Sequence, residues 1–185
     1  DVSRSIPTED RKKTYRESFA NALASIRPGD RLVIGPVGAK DRSNWLSEFD
    51  SSSPVGTGMR IADERAAAAY GRKASAAFDA LMDRGEKSPE NATRIADAVE
   101  AASEAFARDP GNVRVLVLLS DMEESGGKPV KAKKAPANLE GASVIVAGAG
   151  GGQRYAEYEA AWRGYFTGVR GTELTYGRFP ARIAK

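Results

Sequence analysis

Five oxygen-bearing side chains stand at positions where they can do chemistry together. Asp1, Ser3 and Ser5 alternate in the opening DVSRS, Thr93 sits in NATRIADAVEAA, and Asp121 follows the apolar run VRVLVLLS. Each has a modest role open to it: a polar chain end for the first three, a helix N-cap for Thr93, a turn cap for Asp121. Taken singly, those roles are the better reading. As a set, two carboxylates and three hydroxyls with no nitrogen or sulfur make a site for a hard cation. Mg²⁺ suits it best, because that ion takes few carboxylates in near-octahedral geometry and keeps some water. Other chemistries are closed. The chain has no cysteine and no histidine, which removes thiolate metal sites, disulfides, most zinc sites, a Ser-His-Asp triad and a histidine base.

Such a site needs elements that bring three loops to one edge. Residues 8–27 carry Tyr15, Phe19, Ala22, Leu23 and Ile26 at helical spacing, with Thr8 as N-cap and Pro28-Gly29 as the stop. RLVIGPV (31–37) reads as a short buried strand, NWLSEF as an edge strand and SSSPVGTG as a loop. Helices are expected over 60–84, 93–108 and 153–167, and strands over 113–120, 142–148 and 173–179, the last at an edge. The row Tyr155, Tyr158, Trp162, Tyr165 and Phe166 reads as core packing. Helices alternating with apolar strands predict an α/β fold, a three-layer Rossmann-like sandwich with a mostly parallel central sheet and helices on both faces. In such a sheet ligands bind at the carboxyl ends of the strands. Asp121 falls there, Thr93 opens the helix before that strand, and Asp1, Ser3 and Ser5 precede the first helix.

The order DxSxS, then a threonine opening a helix with the TxIxxAxxxA rhythm, then an aspartate closing an apolar strand, resembles the von Willebrand factor A domain over almost the whole chain. The resemblance implies a metal-ion-dependent adhesion site on Asp1, Ser3, Ser5, Thr93 and Asp121, holding Mg²⁺ or Mn²⁺. It also implies an open coordination position for the acidic side chain of a protein partner, and hence a binding module rather than an enzyme. The family's strand order places its first strand between 31–37 and 113–120, and here nothing apolar precedes Asp1. Residues 1–185 are therefore expected to be one domain lacking that strand, which lies upstream. A second difference is Met122, followed by Glu123 and Glu124, where the family has a glycine. The adhesion-type reading favours an extracytoplasmic or envelope location over a cytoplasmic one, though the family also has intracellular members.

Other functions fit less well. VIVAGAGGGQ looks like a strand feeding a glycine-rich turn, but counted from Gly148 the third glycine of G-x-G-x-x-G falls on Gln153. A nucleotide-binding enzyme, or a metal-assisted phosphotransferase using Asp1 as nucleophile, is the alternative. It has no Walker motif and no catalytic lysine to support it. A net charge of +3 is too small to argue for nucleic acid, and the basic run KPVKAKKAP (128–136) reads as a solvated loop. No apolar run approaches a membrane span. Apolar residues at 41% and charged residues at 29% are ordinary for a globular protein.

Overall fold

The computed structural model describes residues 9–38, 47–87, 93–109, 113–123, 135–148 and 155–177. Asp1, Ser3 and Ser5 lie outside the described residues, as do Glu124 and the lysines at 128, 131, 133 and 134. The described residues form four helices and five strands. In chain order these are α1 (Glu9–Ala24), β1 (Arg31–Ile34), β2 (Phe49–Ser52), α2 (Arg60–Lys87), α3 (Ile95–Ala107), β3 (Val115–Leu119), β4 (Ser143–Ala147), α4 (Tyr155–Thr167) and β5 (Glu173–Gly177).

β3, β4 and β5 make a parallel sheet in that order, in the register Val115–Ser143–Glu173. Parallel strands need crossovers, and the sequence supplies them in α4 and in the long connection that ends in a 3₁₀ turn at Ala137–Leu139. The even-numbered side chains of β3, Leu116 and Leu118, face the main core. There they meet Ile95 and Val99 of α3 and Trp162, Tyr165 and Phe166 of α4. Trp162, Phe166, Ile95 and Val99 are fully buried; of the aromatic row of α4, Tyr158, Trp162, Tyr165 and Phe166 are core as expected, while Tyr155 is half-buried outside the cluster. On the other face α1 packs on β3 and β4, its Tyr15 and Phe19 grouped with Leu119 of β3 and with Phe78 and Met82 of α2. Phe19 and Phe78 stack with ring centroids 4.3 Å apart.

β1 departs from expectation. It is four residues long, only Ile34 is buried, and it pairs antiparallel with β2 in a separate two-stranded sheet. β2 is FDSS, so the edge strand falls just beyond the expected NWLSEF and takes residues assigned to the loop. Cross-strand pairing overrides the polar composition. The Arg31 guanidinium forks onto both oxygens of Asp50 at 2.7 Å each, and the Tyr70 hydroxyl of α2 donates to the Ser51 carbonyl. The described residues form a mixed α/β fold with a three-stranded parallel sheet, and among them there is not a complete three-layer sandwich on one sheet.

Candidate functional site at the carboxyl edge of the sheet

The end of β3 is built by two overlapping turns. Ser120, fully buried, accepts the Met122 N–H on its Oγ at 3.0 Å, and Asp121 accepts the Glu123 N–H on Oδ1 at 3.0 Å. The turn-capping role of Asp121 is therefore real and engages one carboxylate oxygen. Between the two turns Met122 takes φ 64°, the left-handed region where glycine is at ease and other residues are strained. The sequence thus puts a methionine where the backbone conformation is one that glycine favours. Methionine is held there by its surroundings. Its side chain is fully buried in the main core, and its carbonyl accepts the Trp162 Nε1–H at 3.0 Å.

Thr93 is also buried, at 6% exposure against 9% for Asp121. α3 begins at Ile95, and the residue at its N-cap position is Arg94, whose side chain makes no capping bond. The Arg94 N–H instead donates to the Gly38 carbonyl at 3.1 Å, which ties the start of α3 to the loop after β1. Val37, Ile95 and Met122 share one core cluster, so the chain beside Gly38, beside Thr93 and beside Asp121 converges on one region of the carboxyl edge.

Across the edge, Tyr176 ends β5 with a buried hydroxyl that has no hydrogen-bond partner among the described residues. Its ring meets Tyr155 edge-on at 5.6 Å. Burial pushes its pKa well above the ordinary tyrosine value, and the nearby Tyr155, Glu159 and Asp121 add to the rise. Gly148 follows β4 at φ 94°, and a Cβ there would lie 2.1 Å from Cε1 of Tyr15. The first glycine of VIVAGAGGGQ thus serves the approach of an α1 side chain to the sheet.

Of the five expected ligands, the structure places Thr93 and Asp121, both buried, in loops of the carboxyl edge. Asp1, Ser3 and Ser5 cannot be placed. Among the described residues no three acidic side chains gather, and the expected set includes only one described acid. Glu123, the extra negative charge beside the site, is exposed. Sequence reasoning missed Ser120, Tyr176 and the Trp162–Met122 bond. A buried indole needs an acceptor, so the Trp162 partner was a question the sequence could have raised. Also among the described residues, no helix is long and apolar enough to cross a membrane. Comparison with protein-family models, curated proteins and solved structures gave no match.

Proposed function

We propose that this chain is a von Willebrand factor A-type module that captures a protein partner through a divalent cation. Its fold would be a single three-layer Rossmann-like sandwich on one mostly parallel sheet. Asp1, Ser3, Ser5, Thr93 and Asp121 would hold Mg²⁺ or Mn²⁺, and an acidic side chain of the partner would complete the shell. The observation that carries the reading is the burial of Thr93 together with Asp121. Thr93 and Asp121, which lie 28 positions apart in the sequence, are both buried polar residues in loops of the carboxyl edge, and that shared placement supports a common ligand role. The donor chemistry fits as well, since hydroxyl and carboxylate oxygens are what a hard cation selects.

Two site aspartates already offset the double charge of the ion. An incoming carboxylate makes the assembly net negative, so partner affinity must draw on contacts around the site as well as on Coulomb attraction. The lysines at 128, 131, 133 and 134 can steer an acidic partner, while Glu123 opposes one. Catalysis has less support, because the glycine that opens the candidate nucleotide loop is taken up by its contact with Tyr15. The test is calorimetry of the full natural polypeptide with Mg²⁺ and Mn²⁺, beside a partner pull-down with and without EDTA. Binding should vanish in Asp121→Ala and in EDTA. Unchanged metal affinity in Asp121→Ala, or equal partner recovery with EDTA, removes the proposal.

A further inference from the structure

The longest helix among the described residues is anchored by one half only. α2 runs from Arg60 to Lys87, yet residues 60–73 include no buried side chain, and Ala74 is the first that is buried. The inner side of this half touches β2 through Tyr70 and approaches Leu23 of α1 at Gly71. At 1.5 Å per residue, about 20 Å of helix presents an open outer side.

Helix propensity explains part of this. Ala66–Ala69 and the Arg60–Glu64 pair support a helix that needs little tertiary help. They do not explain how it begins. Of the large apolar side chains exposed among the described residues, Val55, Met59 and Ile61 fall together at the helix start, at 73%, 65% and 58% exposure. The loop that carries them is pinned. The Asp63 carboxylate accepts the Thr57 N–H and hydroxyl at 2.8 Å each on Oδ1, and the Gly58 N–H at 3.1 Å on Oδ2. A fixed group of large apolar side chains in water is the mark of a contact surface.

Helical spacing continues that surface. Ala62, Ala66, Ala69 and Lys73, three and four residues apart, lie in one row that runs down the helix from Met59. Arg65 and Arg72 border the row on the side turned away from the core, and both are exposed.

Charge selects the partner. Arg65, Arg72 and Lys73 have no ion pair among the described residues, whereas the acids of the same half are engaged, Asp63 by the loop and Glu64 by Arg60. The face is therefore apolar along its middle and cationic at its border. A second copy offers the same cations and no unengaged acid on this half, so self-pairing sets like charges together. A lipid surface rewards bulky apolar side chains, and the middle of this row is alanine. Alanine lets another helix come close, with larger side chains of the partner filling the space between the axes.

We infer that the outer face of residues 59–73 is a docking surface for an amphipathic helix of a protein partner, apolar at heptad spacing and acidic along its flanks. It uses neither Thr93 nor Asp121 and does not rest on the cation reading.

The probe is a synthetic helical peptide of about three heptads, with leucine at the a and d positions and glutamate at e and g. Labelled with fluorescein, it is titrated with the 185-residue chain and followed by anisotropy. Saturable binding that weakens as salt is added is expected. Ala69→Glu, on the row, should weaken it at least about tenfold, as the loss of a central interface contact does. Ala67→Glu puts the same charge on the opposite side of the same turn and should leave affinity within about twofold. Neither position is buried, so both variants should show the parent's circular dichroism. Equal effects of the two substitutions overturn the inference. So does equal binding of a lysine-flanked peptide, or of the same residues scrambled out of heptad order. A dimer in sedimentation that Ala69→Glu dissolves, or retention on phosphatidylserine vesicles that the same variant abolishes, also overturns it. Peptide binding should persist in EDTA even if the metal site fails its own test, and loss of binding in EDTA overturns the inference.

Discussion

Gly148→Ala measures how tightly α1 is fitted to the sheet edge. The residue sits at φ 94°, where an alanine is disfavoured by roughly 1–2 kcal/mol. The new Cβ would fall 2.1 Å from Cε1 and 2.9 Å from Cδ1 of Tyr15, against about 3.5–4.0 Å for an ordinary carbon contact. Tyr15 is 1% exposed and clustered with Phe78 and Met82, so its ring cannot swing into solvent. Forcing it aside costs roughly 1–3 kcal/mol. The sum is about 2–5 kcal/mol, or a fall in Tm of about 5–15 °C at this chain length. Urea and thermal denaturation followed by circular dichroism would read it. Tyr15→Ala placed in the same chain should recover the steric part, giving a coupling of about 1–3 kcal/mol. A Gly148→Ala variant within ~0.5 kcal/mol of the parent, or strictly additive losses in the double variant, would refute the reasoning. A glycine kept instead for phosphate binding would cost ligand affinity and leave stability nearly untouched.

Met122→Gly relieves the left-handed strain but empties a fully buried site, so a net loss of about 1–3 kcal/mol is expected by urea denaturation. Tyr176→Phe removes a buried hydroxyl that lacks a partner among the described residues, and stability should rise by about 1 kcal/mol. Because folding raises the Tyr176 pKa, its contribution is complete below the unfolded value near ~10 and is lost as pH rises beyond it; Tyr176→Phe should flatten that alkaline decline. At the acid end, Arg31 holds the Asp50 carboxyl below its usual range, and hydrogen bonds from Thr57 and then Gly58 do the same for Asp63. Their stabilisation is present above about pH 4 and fades as pH falls through the lowered values, so Asp50→Asn should reduce the stability lost between neutral and acid pH, by under about 1 kcal/mol for this partly exposed pair.

The helices and the parallel strands were legible because each carries a strong local signal. Ile95, Val99 and Phe106 repeat at helical spacing, and VLVLL is apolar on both faces. β2 was misplaced because FDSS has no strand-like composition. It is a strand by virtue of its ladder to β1 and the fork of Arg31 onto Asp50, contacts that composition cannot register. Of the candidate site, two residues can be compared with the structure. Thr93 and Asp121 stood out as polar residues at the ends of apolar elements, and both are buried. The left-handed Met122 was invisible, since methionine advertises no such conformation. Its strain is sustained by a core and an indole bond that are remote in sequence. The role of Gly148 was masked by the glycines after it, because only the fold brings Tyr15 against it.

The Trp162–Met122 bond gives the molecule an optical readout of its own edge. The chain has two tryptophans, and Trp162 is sealed in the core, its ring nitrogen 3.0 Å from the carbonyl next to Asp121. An indole in so apolar a setting emits at short wavelength, and its colour and yield respond to the dipole it faces. Whatever tilts the Asp121–Met122 peptide therefore changes the emission of a chromophore that no solvent molecule touches. With Trp45 replaced by phenylalanine, the remaining signal comes from one bond one residue away from the candidate ligand. The protein thus carries an intrinsic fluorescent gauge of events at that loop, without a label.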